Sequence, residues 1–319
     1  MPAFVRSMWG LYLPEHRRIH SNIVDIVDRV LFNASFGIYH PYQDKLEVVD
    51  FPGITHNPDF HLGGVGWDKY TGLASLIIGQ GNAFNTNGAN ISGDNFFKKY
   101  DPIAKGFIWT LNLTSLTQGK WGGFNDMTTD PAGNTYICGT YPSSIIKVDP
   151  HGKLFTAWVP PVTTDHTIAG YSGIASNGDT IIALDTLDGS LYRFDARATR
   201  GTPVLIPRTP NATIRGGDAL HLPVKYDGRV ALVAEHLRGV SVLRSKDGSW
   251  TAAEYLGLVP NPPDLPAGVL AVSTTQIGDD LYIVNDWFGD STVPGTTAGN
   301  KTTFPMVEIT RQVEELLCK

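Results

Sequence analysis

"GGFNDMTTDPAGNTYICGT", residues 122–140, reads as one strand, a turn and a second strand. Asp130-Pro131 and Gly133-Asn134 are turn signals, and the flanking runs "FNDMTT" and "TYICGT" are short, apolar and β-type. The pattern recurs. "GGVGWDKYTGLASLIIG" begins at Gly63, "GYSGIASNGDTIIALDT" at Gly170, "GGDALHLPVKYDGRVALVAEH" at Gly216 and "GVLAVSTTQIGDDLYIVND" at Gly268. The starts lie 59, 48, 46 and 52 residues apart, which is the length of a β-propeller blade. A third strand follows several units, as in "SIIKVDPHG", "SLYRFDA" and "GVSVLRSKDG". The glycines that open each unit suit inner strands, whose backbones crowd the axis.

Five unit starts are visible. The earlier strands "FGIYHPY" and "LEVVDFP" either complete the last unit or belong to a degenerate sixth blade. The expectation is an all-β chain forming a single β-propeller over 35–319, with six blades and five as the alternative. Residues 1–34 form a separate extension. Within it, "EHRRIHSNIVDIVDRVL" places Ile19, Ile23, Ile26, Val27 and Val30 on one face of an amphipathic helix.

Composition removes several classes of function. With 319 residues, a net charge of −6 and no basic cluster longer than "HRR", the chain lacks the cationic stripe that nucleic acid requires. No apolar run is long enough to span a bilayer, and the first residues lack the continuous apolar region of a signal peptide. Five sequons, at Asn33, Asn90, Asn112, Asn211 and Asn300, nevertheless point to glycosylation in the secretory pathway or outside the cell. Cys138 and Cys318 either pair or stay as two thiols. There is no G-x-S-x-G elbow, phosphate loop or dinucleotide fingerprint, so covalent catalysis and nucleotide cofactors are disfavoured.

In a propeller, the loops entering the inner strands and those joining second to third strands share one face, where ligands usually sit. The acid–base candidates there are His61, Tyr171, Asp218 and His236. The candidates for holding substrate are Trp121, Phe124, Asn125, Tyr141, Ser172, Asp185, Arg215, Asp286, Trp287 and Phe288. Long segments at Gln80–Asn95 and Phe288–Thr303 are candidate lids. Trp67 reads as core, Asp68 as a turn residue, and Asp126 as a tie between blades. His56, Asp59 and His61 match no metal-ligand spacing.

Two resemblances add to this reading. "GGFNDMTTDPAGNTY" resembles the inner blade of gluconolactonase-like propellers, which hold one metal on the axis through a Glu, an Asn and an Asp. Carried onto this chain, the Glu falls on Gly63 and the Asn on Ser172, while the Asp is kept as Asp218 and a pocket Asn as Asn125. Two of three ligands are gone, so no metal is expected. More of the chain, from Tyr39 to about Thr310, is similar to a fungal six-bladed propeller family. The motifs that carry it are Gly63–Asp68, "AFNTNGANISGDN" and "KWGGFNDMTTDPAGNTY". That family includes the accessory protein of trichothecene clusters, a secreted yeast allergen and cofactor-free cyclases of the hetero-Diels–Alder type.

The resemblance implies cofactor-free ring closure on a reactive terpenoid or polyketide in fungal specialised metabolism. Dehydration to a quinone methide followed by cycloaddition is the favoured form. The alternatives are an apolar-ligand-binding propeller without turnover and a metal-dependent lactonase. The expected partner is a small apolar or aromatic molecule, and the expected state is a monomer or weak homodimer.

Overall fold

The computed structural model describes residues 34–40, 45–287 and 306–319. The predicted N-terminal helix, Asn33, Phe288 and Asn300 lie outside the described residues. Successive antiparallel sheets follow the chain. β1 (Ser35–His40) and β2 (Lys45–Asp50) form a two-stranded ribbon. Four strands follow, β3 (Phe60–Asp68), β4 (Leu73–Gln80), β5 (Asn95–Asp101) and β6 (Gly106–Asn112). The next sheet is β7 (Gly122–Thr129), β8 (Thr135–Tyr141), β9 (Ser144–Val148) and β10 (Phe155–Val159). Then come β11 (Tyr171–Asn177), β12 (Thr180–Asp185), β13 (Leu191–Asp195) and β14 (Val204–Leu205).

β15 (Arg208–Thr209) adds in parallel to the outer edge of the following sheet. That sheet holds β16 (Gly217–His221), β17 (Val230–Glu235), β18 (Gly239–Arg244) and β19 (Ala253–Pro260). The last sheet is β20 (Leu270–Ile277), β21 (Asp280–Asp286) and β22 (Val307–Glu308).

The inner strands β3, β7, β11, β16 and β20 contact one another in that order, so the sheets are blades around an axis. Among the described residues, five blades have such a strand. The β1–β2 ribbon packs Phe36 and Phe51 on Tyr100 and Phe107 of the first blade. The repeat units therefore read the blades correctly.

Apolar faces of neighbouring blades make the core. Ile182, Leu184 and Leu191 of one blade meet Leu220, Val233 and Leu243 of the next. Each such buried side chain contributes about 1.5–3 kcal/mol. Close approach of inner strands dictates some glycines. A Cβ on Gly64 would stand 2.2 Å from the Asn125 carbonyl oxygen, and one on Gly173 would stand 2.5 Å from that of Asp218. Three short α-helices, α1 (Asn82–Asn85), α2 (Leu113–Leu116) and α3 (Thr310–Leu317), and one 3-10 turn at Val224–Tyr226 complete the described fold.

Trp67 packs against the first core cluster. Asp68 is a turn acceptor for the Tyr70 and Thr71 amides, and it also forms a buried pair with Lys99 at 3.5 Å.

Candidate functional site

Each inner strand slips register once, near its start. The shifts fall between Leu62 and Gly64, Phe124 and Met127, Tyr171 and Gly173, Gly217 and Leu220, and Ala271 and Ser273. A bulge leaves residues out of the ladder and re-aims their side chains. The skipped residues include Gly63, Asn125, Ser172, Asp218 and Val272, and all five line one axial cavity of about 330 Å³. Five equivalent irregularities thus deliver one residue per blade to the axis.

Three of the five are polar and they are wired together. Asn125 Nδ2 donates to Asp218 Oδ1 at 3.1 Å and to the Ser172 carbonyl at 3.3 Å. The Ser172 hydroxyl donates to the carbonyls of Gly217 and Asp218, both at 3.1 Å. Asp218 Oδ2 lies 3.2 Å from His236 Nε2. Burial pushes the His236 pKa down, but the hydrogen bond and negative charge of Asp218 together outweigh it and hold the pKa above its ordinary value. His61, on the wall made by the first blade, shows the reverse: burial lowers its pKa, and the charge of Asp59 opposes this only in part. One cavity therefore holds two histidines of opposite tendency, one shifted toward its protonated form and the other toward its neutral form.

The apolar wall consists of Ala83 and Phe84 of α1 with Phe124, Tyr141, Leu270 and Val272. Phe84 meets Tyr141 edge-on, with centroids 5.7 Å apart. The segment from Gln80 to Asn95 contributes part of the cavity wall: Gln80, Ala83, Phe84, Asn85 and Asn95 line it, and Gly88 sits against Tyr141 and the His166 carbonyl.

Of the expected site residues, His61, Phe124, Asn125, Tyr141, Ser172, Asp218, His236 and Asp286 line the cavity. Five described ones do not. Tyr171 is 5% exposed and packs edge-on against Tyr192 and Phe194, because its strand turns it into the blade interface. Trp121 faces a separate groove with Leu116 and Phe155. Asp185 caps its own turn by accepting the Leu187 amide, and burial raises its pKa. Arg215 has an exposed side chain, and its amide donates to Glu235. Trp287 packs on Val269 and Leu265 in a satellite cluster.

Sequence reasoning missed Thr140, Thr186, Gln80 and Asn95, which also line the cavity. Thr186 was findable, since "DTLDG" at Asp185 repeats the turn "EHLRG" at Glu235 and so puts Thr186 in the place of His236. Asp126 ties blades together: its Oδ2 accepts the Ile174 amide at 2.9 Å, across from β7 to β11. Burial raises the pKa of this carboxyl well above the usual range, against the pull of the Ile174 and Met127 amides.

The lactonase metal positions do converge, but the donor set does not fit. Gly63 offers no side-chain oxygen, although a Cβ there would meet nothing closer than 3.5 Å, and the Ser172 hydroxyl is spent on two carbonyls. Among the described residues, no group of three or more His, Cys, Asp or Glu could hold a metal ion. Cys138 is buried and donates to the Asp126 and Ser172 carbonyls, while Cys318 is exposed; the two are free thiols.

No protein-family profile matches the chain. It is 31% identical to trichothecene biosynthesis protein 14 of Trichoderma arundinaceum over 303 residues, which cover 90% of this chain and 82% of that one. It is 32% identical to core trichothecene cluster protein 14 of Fusarium sporotrichioides, with 90% and 79% covered. Among solved structures, the major Malassezia sympodialis allergen Mala s 1 superposes with a TM-score of 0.74 at 17% identity, covering 94% of this chain and 91% of the allergen. A gluconolactonase of Xanthomonas campestris gives 0.52 at 14% identity, with 88% and 84% covered. At such identities the two structures speak for the β-propeller fold alone.

Proposed function

This chain belongs to the family of trichothecene cluster protein 14, and from that premise we propose that it is a cofactor-free cyclase of fungal specialised metabolism. Its relatives are biosynthesis proteins of a fungal secondary-metabolite cluster, so a role in fungal secondary metabolism follows from the family. The finer reading is that the axial cavity binds a reactive terpenoid or polyketide intermediate and closes a ring on it. The observation that carries this reading is the Asp218–His236 pair, held by Asn125, at one side of a largely apolar cavity.

The chemistry is a net dehydration. The His236 imidazolium gives its proton to a hydroxyl of the substrate, and the C–O bond breaks as water leaves. Asp218 orients the ring and balances its charge. A hydroxyl elsewhere on the substrate loses its proton to neutral His61, which yields an electron-poor alkene of the quinone methide type with no change of oxidation state. The aromatic wall, Phe84, Phe124 and Tyr141, then holds that alkene against its unsaturated partner for cycloaddition. Holding two reacting ends together can supply on the order of 7–11 kcal/mol at best.

Two sequons, Asn90 and Asn211, are exposed, which supports passage through the secretory pathway. The Asn112 side chain is instead committed to capping α2 and to Asp94. Glycopeptide mapping of protein from a fungal host should find Asn90 and Asn211 occupied.

The deciding experiment follows conversion of a hydroxylated sesquiterpenoid or tropolone-type precursor against the uncatalysed background. The expected result is faster closure with a single stereoisomer, lost by roughly 10²–10⁴-fold in His236→Ala. Precursor that binds but closes no faster than in buffer would leave a binding protein. Activity abolished by a chelator would return the lactonase reading.

A further inference from the structure

Two neighbouring blades end their second strand in the same turn, Asp185-Thr186-Leu187-Asp188-Gly189 and Glu235-His236-Leu237-Arg238-Gly239. In both, the amide of the fourth or fifth residue returns to the carbonyl of the first: Gly189 to Asp185 at 2.9 Å and Arg238 to Glu235 at 2.7 Å. The second residue of each turn, Thr186 or His236, points into the cavity. The third, a leucine, stands out from the rim and is 65% exposed at Leu187 and 74% at Leu237. Val162, on the loop that leads into the first of these blades, is 98% exposed.

Exposed apolar side chains are individually ordinary. Here one is repeated at one turn position in adjacent blades, and the flanking charges have opposite sign. Leu187 is followed by exposed Asp188, and Leu237 by Arg238, whose guanidinium pairs with buried Glu235 yet is 39% exposed.

We propose that this rim is a two-fold interface with a second copy of the same chain. In an isologous contact, residue i of one protomer meets j of the other and j meets i. A two-fold axis between the two turns sets Leu187 against the partner's Leu237, and Asp188 against the partner's Arg238, twice over. Like-charged flanks would have repelled under that operation, whereas this rim is complementary to itself. A lipid surface fits less well, because an acidic residue stands beside one of the two leucines and the chain is net negative. Since Thr186 and His236 directly precede the leucines, the partner would wall one side of the cavity mouth.

Sedimentation equilibrium on the full chain, from low to high micromolar, tests this. The expected result is reversible growth to twice the monomer mass. Leu187→Glu, Leu237→Glu and Asp188→Arg should each weaken association at least tenfold, with melting temperatures unchanged at concentrations low enough that the wild type is monomeric. Arg238 is left alone because it pairs with buried Glu235. A chain that stays monomeric throughout overturns the proposal, as does a dimer whose affinity survives both leucine variants. Flotation with phosphatidylcholine–phosphatidylserine vesicles, abolished by the same variants in monomeric protein, would assign the rim to lipid instead.

Discussion

At the scale of residues, the site turns on Asp218. Both of its oxygens are occupied, by Asn125 and by His236, so in the proposed reaction it acts through the imidazole and not on a substrate directly. Asp218→Asn keeps a similar shape and removes the charge that outweighs burial at His236. The His236 pKa should then fall below its ordinary value, readable from ring-proton shifts in an NMR titration of wild type and variant. The same logic fixes a pH profile. The proposed cyclisation needs His236 protonated, a condition met below its raised pKa. It also needs His61 neutral, a condition met above its lowered pKa. The rate should therefore form a bell that spans the ordinary histidine range and falls on both sides. Asp218→Asn should collapse the basic limb and leave the acidic limb in place.

At the scale of elements, the inner strands do two jobs with one irregularity. Their register shifts release Gly63, Asn125, Ser172, Asp218 and Val272 from the ladder, and the residues around them lock blade to blade. Asp126 is such a lock. Replacing it with Ala strands the buried Met127 and Ile174 amides, at about 1–3 kcal/mol for an unsatisfied group. Chemical denaturation should show a lower midpoint with an unchanged slope. Gly64→Ala forces a methyl group into the Asn125 carbonyl of the neighbouring blade. It should cost a further 1–3 kcal/mol or so, as overpacking does, and should also reduce activity because Asn125 is the residue displaced. These elements were legible because strand–turn–strand units repeat. Their bulges were not: a one-residue slip exchanges the two faces of a strand, and inner strands buried on both faces carry no alternation that would reveal it.

At the scale of the whole molecule, the blades pack in series and the C-terminal helix closes onto them. Val313 of α3 is fully buried, Glu314 meets Tyr226 and Lys225, and Arg244 donates to the Leu317 carbonyl. Removing residues 310–319 should lower the melting temperature by uncovering the faces of β19 and β21. The two thiols are far apart in character. Cys138 sits at 0% exposure with its pKa pushed well up by burial, while Cys318 is exposed. A thiol reagent should titrate one equivalent quickly and the second only after denaturant is added, and a reductant should leave the melting temperature where it was.

The sequence by itself determined the β-propeller, most of its blade boundaries, and the end of the inner strands at which Asn125, Ser172, Asp218 and His236 line the axial cavity. The blades follow from local rules, namely alternation, turn chemistry and repetition, which neighbours in the chain enforce; Asn125, Ser172 and Asp218 were marked within them by the resemblance to gluconolactonase-like propellers. Only the tertiary structure decided that Tyr171 packs between aromatic rings, that Trp121 faces a different groove, and that Thr140, Gln80 and Asn95 reach the cavity. The direction of a side chain near the axis depends on the bulge beneath it and on the blade beside it. Asn125 and Asp218 lie 93 positions apart in the chain and meet at 3.1 Å only because the blades converge.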